Sequence, residues 1–544
     1  MKKVATLLTD HFEHWGLTHV FGIPGKAISP ILFELLETDI EFVLSKHEAA
    51  SGFEASGYAM MKDTPAVAIG TSGPGGTNLL TAAGQAKAFH APLLIITGHP
   101  SMKDTGKSQG QDSSMFGTDL CRMFEPVTKF SARVENSERL EPLLCHALEK
   151  AVTGVKGPVH LSIPFDVLID ETEPFLLDIP DALPMVSPEI HKIIPLLEKA
   201  ERPILFLGKG VHASNAYEEV QAVAEQWQVP VITTPGGKGT FRSDHELSLG
   251  AFGLGGTTEA KDYLKEKTDL MLVLGTRLSD MSIPGFTEDM LPDHIVHFDY
   301  EPTFICKSLK APTTAILGDL KTNLQALLSH ASGTEKVHRQ LPQKNEELLN
   351  IPSTTRMSAV SVIREMRKAL PDEAVVFGDD GSHSFYGIRH FDIHKPGTYF
   401  FDDIFGAMGN GIGFSIGAAL AAPETPVVCL TGDGCMFMHG TEISTAYNYD
   451  APVLFILMNN ERLDMVEKGM RKMIGTSIGG VYETPLDGEQ FATSMGLEAF
   501  KCHTPQEISE AIQKALRIIK ETRKPVVVEA IVDGDEIPPT MGRQ

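Results

Sequence analysis

The chain has 544 residues, 42% hydrophobic and 22% charged, which excludes a largely disordered protein and, at roughly 150 residues per domain, predicts three or four domains. Its 47 Lys and Arg against 71 Asp and Glu leave a formal charge of −24, a surface that repels phosphate backbones and argues against nucleic-acid binding, though not against a small anionic cofactor in a local pocket. The six cysteines, at 121, 145, 306, 429, 435 and 502, form no C-x-x-C pair, so neither a zinc site nor a disulfide framework is expected and the thiols read as reduced, in a cytoplasmic protein.

At the N-terminus Asp10 and Glu13 interrupt the apolar stretch that a signal peptide would need. The segment EFVLS predicts a strand running into His47-Glu48-Ala49-Ala50. TPAVAIGTSGPGG from Thr64, APLLIITGH from Ala91 and GPVHLSIPFD from Gly157 then read as buried parallel strands, the first ending in a glycine-rich turn. Residues 172–188, with four prolines and several acids, read as a linker. RPILFLGKGV from Arg202, VPVITTPGGKG from Val229 and DLMLVLGTRLSD from Asp269 repeat the strand-and-glycine pattern. The GKG turn at Gly208 lacks the third glycine of a dinucleotide fingerprint, running on through Ala213 to Ser214-Asn215, and this disfavours a nicotinamide dehydrogenase. Residues 333–355 are polar, without periodicity, and read as a second linker. The uncharged run Ile404–Pro423 is long enough for a membrane span but contains five glycines and Asn410, so a loop entering a tightly packed helix is expected, and no membrane.

The last third repeats the first. TPVVCLTGDGCMF, APVLFILMNN and KPVVVEAIVD match the three N-terminal strands in order, with proline spacings of 27 residues in the first copy and 26 in the second. The expected fold class is therefore α/β: three doubly wound parallel-sheet domains at about 1–170, 188–330 and 356–540, the outer two alike.

Gly432-Asp433-Gly434, then 24 residues, then Asn459-Asn460, join the ends of the strands VVCLT and VLFILM. Ligands in open α/β sheets bind beyond the carboxyl ends of strands, so both ends can face one site. A carboxylate at Asp433 and an amide oxygen at Asn460 suit Mg²⁺, and Gly432 and Gly434 let backbone approach a diphosphate. Each half alone would read as a turn.

This pattern resembles the diphosphate motif of thiamine-diphosphate-dependent enzymes, and the likeness extends along the whole chain, most closely to the acetolactate synthase / pyruvate oxidase group. The resemblance implies a pyrimidine-binding, a central and a diphosphate-binding domain in that order. It implies Mg²⁺ held by Asp433, Asn460 and the backbone carbonyl of Arg462, with Leu463, Met465 and Val466 in a family stretch where many members have Gly instead of Asp464. Gly381-Ser382-His383 resembles a stretch near the diphosphate. In Gly406-Ala407-Met408-Gly409 the Gly406 carbonyl would take the aminopyrimidine hydrogen bond and Met408 would wedge between the cofactor's rings. Phe21-Gly22-Ile23-Pro24-Gly25, followed by Lys26, resembles the first strand and turn, and Thr71-Ser72-Gly73-Pro74-Gly75-Gly76-Thr77-Asn78 the pyrimidine-side loop. Glu48 stands where the family has the glutamate that bonds the pyrimidine ring nitrogen. It would serve the cofactor held by a second subunit, so a homodimer or homotetramer is implied.

Two positions depart from the acetolactate synthases. Phe116 stands where they place a glutamine over the reactive carbon, although Gln109 and Gln111 are near. Gly469 stands at the place of a tryptophan after the Asn-Asn motif, which disfavours a biosynthetic synthase selecting 2-ketobutyrate. The central domain only partly echoes the flavin pattern, at Gly275-Thr276-Arg277-Leu278-Ser279-Asp280, and FAD is not expected. The resemblance implies decarboxylation of a 2-oxo acid such as pyruvate and ligation of the resulting enamine to a second carbonyl. A simple decarboxylase, an aldehyde carboligase or lyase, and an oxidase of the same family are the alternatives.

Overall fold

The computed structural model describes residues 1–181, 184–331, 333, 336–341 and 356–540, so most of the polar stretch 333–355 lies outside the described residues. Three six-stranded parallel sheets follow one another along the chain. The first contains β1 (His19–Gly22), β2 (Glu41–Leu44), β3 (Ala66–Gly70), β4 (Leu93–His99), β5 (Ser131–Arg133) and β6 (Val159–Pro164). The central sheet contains β7 (Pro203–Leu207), β8 (Val231–Thr233), β9 (Ser248–Ala251), β10 (Leu270–Leu274), β11 (His294–Asp299) and β12 (Thr313–Leu317). The last contains β13 (Val375–Gly378), β14 (Tyr399–Phe401), β15 (Val427–Gly432), β16 (Val453–Asn459), β17 (Glu498–Cys502) and β18 (Val526–Ile531).

The N-terminal order is β2-β1-β3-β4-β6-β5 and the C-terminal order β14-β13-β15-β16-β18-β17, one topology used twice. The repeated strands in the sequence are therefore β3, β4 and β6 against β15, β16 and β18. The central sheet, β9-β8-β7-β10-β11-β12, has the other doubly wound order, with strands one and four as neighbours at the crossover. The strand residues Ala66–Gly70, Leu93–His99, Val427–Gly432 and Val453–Asn459 are buried throughout, which explains their continuous apolar runs: helices cover both faces.

The outer domains share one hydrophobic core, while the central domain has cores of its own. The join is a close crossing of the helices Glu48–Lys62 and Asn410–Ala421. A Cβ on Gly417 would lie 1.7 Å from the Glu54 carbonyl oxygen, and one on Gly57 2.1 Å from that of Phe414, so the backbones touch where only glycine fits. Asn410–Ala421 is buried along its length, which accounts for the uncharged run. No helix among the described residues is long and apolar enough to cross a membrane. The beginning of the 172–188 stretch is anchored rather than loose. Thr172 closes a two-stranded ladder with Lys2, and Leu177 exchanges hydrogen bonds with the side chains of His11 and Trp15 at 3.0 and 2.8 Å. The six cysteines are all free thiols.

Candidate active site

The carboxyl ends of β13, β14, β15 and β16 open into a cavity of about 370 Å³, within the range of small-molecule sites. Gly381, Ser382, His383, Gly406, Met408, Gly432, Asp433, Gly434, Asn460, Arg462, Leu463, Met465 and Val466 all line it, whereas Asn459 and Gly469 do not. Asp433 opens the helix Asp433–His439. Its Oδ1 accepts from Gly434 N at 2.9 Å and its Oδ2 from Arg462 N at 3.1 Å, which ties the ends of β15 and β16 together. The Arg462 guanidinium turns away, to the Asn460 carbonyl and Asp535, so its backbone, not its charge, faces Asp433. The two asparagines divide their work: Asn459 donates to Glu529 and the Leu486 carbonyl, and Asn460 lines the cavity.

Glycines let backbone form the wall. A Cβ on Gly434 would meet Met408 Cε at 2.7 Å and Leu463 Cδ2 at 2.8 Å, and one on Gly432 would meet His383 Nδ1 at 2.8 Å. Met408 therefore reaches into the cavity against the Gly432-Asp433-Gly434 turn. Its loop is fixed by Asp402, which the sequence analysis did not single out. Asp402 accepts from the backbone N–H groups of Ile404, Phe405 and Gly406 at 3.1, 2.8 and 3.1 Å. It also receives Gln85 of the N-terminal domain at 2.8 Å and the Lys209 ammonium of the central domain at 3.0 Å. Burial opposes its ionisation, but Lys209 and the amides outweigh that and hold its carboxyl below the ordinary Asp value. The lysine of the GKG turn thus braces the loop of Gly406 and Met408. No local pattern in the sequence marks Asp402 for this role, since its partners lie in two other domains.

The N-terminal residues gather at the equivalent strand ends of the other sheet. Pro24, Gly25 and Lys26 follow β1, Glu48 follows β2, Thr71 and Asn78 follow β3, and Gln111 and Phe116 follow β4. Asn78 Nδ2 donates to Glu48 Oε2 at 2.8 Å, and a Cβ on Gly25 would strike Thr71 at 2.4 Å. The loop after β4 folds back onto the turn at Gly73, which donates to Ser113 Oγ at 2.9 Å and packs beside Gln111. Phe116 is 68% exposed and lies farther along, against Gly106. Glu48 is half-buried within one chain, and no residue of the N-terminal domain lines the cavity of Asp433. The structure gathers the predicted residues into two separate groups, one at the strand ends of each outer sheet.

The cavity's chemistry suits a diphosphate and a hard cation. Burial pushes the Asp433 carboxyl up to about 7, as for an anion lacking its counter-charge. His383 Nε2 and the Tyr386 hydroxyl are buried on the cavity wall without hydrogen-bond partners, and Thr71 Oγ1 is likewise orphaned in the N-terminal half-site. No group of three or more His, Cys, Asp or Glu able to hold a metal occurs among the described residues, so an ion at Asp433 would need amide, carbonyl and phosphate oxygens as its other ligands. Asp380, Tyr386, Asp464 and Glu536 also line the cavity and were not singled out as site residues. Asp464, at the family's glycine position, pairs with Lys468 at 2.5 Å.

Three family models match the chain: thiamine pyrophosphate enzyme N-terminal TPP binding domain over residues 2–120, central domain over 190–327, and C-terminal TPP binding domain over 379–530. A probable acetolactate synthase large subunit of Methanocaldococcus jannaschii is 30% identical, with 99% of this chain and 93% of that protein covered. The acetolactate synthase large subunit of Corynebacterium glutamicum is 31% identical over 98% of this chain and 87% of its own length. Isozyme 1 of Escherichia coli is 31% identical over 98% and 94%. A thiamine diphosphate-dependent 4-hydroxybenzoylformate decarboxylase of Rhodococcus jostii RHA1 has the same fold, with a TM-score of 0.87, 23% identity, and coverage of 98% of this chain and all of that one.

Proposed function

Because this chain belongs to the thiamine pyrophosphate enzyme family, we propose that it decarboxylates a 2-oxo acid, pyruvate first among them, and joins the two-carbon remainder to a second carbonyl, giving 2-acetolactate when the acceptor is also pyruvate. The observation that carries this reading is the convergence of Asp433, Asn460 and the Gly432 and Gly434 backbone on one cavity with His383 and Met408. Mg²⁺ would be held by Asp433, Asn460 and the Arg462 carbonyl, and the diphosphate by Gly381, Ser382, His383 and the glycines of the β15 turn. The Gly406 carbonyl and Met408 would hold the ring end, with Pro24, Gly25, Thr71, Asn78 and Glu48 supplied by a second copy of the chain. Bound there, the cofactor supplies the electron sink that takes up the electron pair left when CO₂ departs.

The chain's own residues orient groups and move protons. Asn78 occupies Glu48 Oε2, which leaves Oε1 free to exchange a proton with a pyrimidine ring nitrogen. Leu463 and Met465, with the more exposed Val466 at the rim, would limit the water that reaches the reacting carbon. Lys26, Gln111 and Phe116 would face the acceptor, and Phe116 makes that side more apolar than a glutamine would. FAD has no role in this reading. Assembly as a homodimer or homotetramer completes each site, and six free thiols suit the reducing cytoplasm.

The test is incubation with Mg²⁺, thiamine diphosphate and pyruvate, followed by assay of CO₂ and acetolactate. Acetolactate appearing one for one with CO₂ is expected. Acetaldehyde without acetolactate would move the reading to a decarboxylase. No CO₂ from a panel of 2-oxo acids, with cofactor bound, would overturn it.

A further inference from the structure

Two buried carboxyls outside the cavity meet beneath the loop that delivers Glu48. Glu442 belongs to the C-terminal domain, in the short turn after the Asp433–His439 helix. Its Oε1 accepts from the backbone N–H groups of both Lys46 and His47 at 2.9 Å. Its Oε2 accepts from Thr445 Oγ1 at 2.7 Å and from Lys46 N at 3.1 Å. Glu54 lies one and a half turns along the helix that Glu48 opens. It is completely buried and takes a hydrogen bond from Ser45 Oγ at 2.6 Å on Oε2, while no protein donor reaches its Oε1. The pair thus grips Ser45, Lys46 and His47, the three residues between β2 and Glu48.

We propose that Glu442 and Glu54 share one proton and act together as positioning residues, clamping the Lys46–His47 backbone so that the Glu48 carboxylate is presented at a fixed place. This rests on the reading of Glu48 given above. The proton sits on Glu54, because Glu442 already accepts from Lys46, His47 and Thr445 as a carboxylate does, whereas a carboxylate at Glu54 would leave Oε1 bare inside the protein. Burial first, and the facing Glu442 second, push the Glu54 carboxyl well above its ordinary value, and burial raises Glu442 too. Loss of the shared proton at high pH places two adjacent buried negative charges under the loop and loosens it.

Other charged and titratable groups face the pair. Lys46 spends its ammonium on the Leu44 carbonyl and Thr445. The rings of His47 and His439 meet edge to face at 5.6 Å, and His439 is neutral, since burial lowers it to about 4. Tyr449 receives the Leu44 N–H, with Glu41 and Asp450 beyond it. The helix Asn410–Ala421, packed against Glu54 through Gly413 and Gly417, carries no charge. Glu442 and Glu54 hold the loop from two sides, through the Lys46 and His47 amides and through Ser45.

The experiment measures protection of the Lys46 and His47 amides by hydrogen exchange in the holoenzyme, beside kcat as a function of pH. In the native protein, protection and kcat should fall together on the alkaline side. Glu54→Gln places a non-titrating amide donor against Glu442 and should carry both to higher pH. Glu442→Ala should lose protection at every pH and lower kcat by about 10- to 100-fold, the scale of a misplaced reacting group, while cofactor affinity stays within about twofold because the Asp433 cavity is untouched. Unchanged protection in Glu442→Ala, or an unmoved alkaline limb in Glu54→Gln, overturns the proposal. Glu48→Gln with full turnover would instead remove the underlying role of Glu48, whatever the amides do.

Discussion

Glu48 and Asp433 are both acidic residues at strand ends, and single substitutions separate their work. Glu48→Gln leaves the cavity of Asp433 intact, so Mg²⁺-dependent cofactor binding by calorimetry should be unchanged while turnover falls by about 10²- to 10⁴-fold, the usual worth of a positioned acid–base group. Asp433→Ala removes the one carboxylate at the proposed metal position. Cofactor affinity itself should weaken by about two orders of magnitude, as for loss of a charged, hydrogen-bonded partner. Equal loss of cofactor by both variants would contradict the division. These two residues were legible because of their neighbours: Gly432 and Gly434 around one, and around the other His47-Glu48-Ala49-Ala50 at the end of a strand, with the Thr71–Asn78 glycine loop after it. Asp402 was not legible as a site residue. Its partners, Gln85 and Lys209, come from two other domains, 317 and 193 residues away, and no local pattern records such a meeting.

Periodicity and glycine placement revealed the elements better than the contacts between them. The strands were readable as β-branched runs ending in turns, and their twofold recurrence corresponds to one sheet order used twice. The crossing of Glu48–Lys62 with Asn410–Ala421 was only half visible. The uncharged run announced a buried helix but not its partner, because packing partners at such separation leave no trace in spacing. Gly417 tests this crossing. Alanine in a helix is ordinarily better than glycine by up to about 1 kcal/mol, yet here its Cβ would lie 1.7 Å from the Glu54 carbonyl oxygen. The helices must separate, and overpacking of this kind costs about 1 to 3 kcal/mol. Thermal or urea unfolding of Gly417→Ala should therefore show net destabilisation. A gain in stability would mean the backbones are farther apart than described. Because Glu54 sits at this contact, the same variant should also blunt the amide protection of Lys46 and His47.

At the scale of the molecule, the residues proposed for the site fall into two groups, and only the C-terminal group lines the cavity of Asp433. The half with Asp433 and Asn460 opens from the C-terminal sheet. The half with Glu48, Asn78 and Thr71 opens from the matching edge of the N-terminal sheet and contributes nothing to the same cavity. Under the proposed function, unlike halves of two chains would pair across a twofold axis. The net charge of −24 describes the exterior, while cofactor charge would be met locally by one ion and glycine backbone. Co-expression of Glu48→Gln with Asp433→Ala tests the two-chain site most directly. At cofactor concentrations that just saturate the native enzyme, each variant alone should keep no more than a few per cent of its activity. In a random mixture half the dimers are mixed, and each of these has one site with both residues intact, so pyruvate decarboxylation should return to about a quarter of the native rate per chain. Activity no greater than the sum of the two parents, in a sample shown to contain mixed dimers, would contradict a site shared between chains.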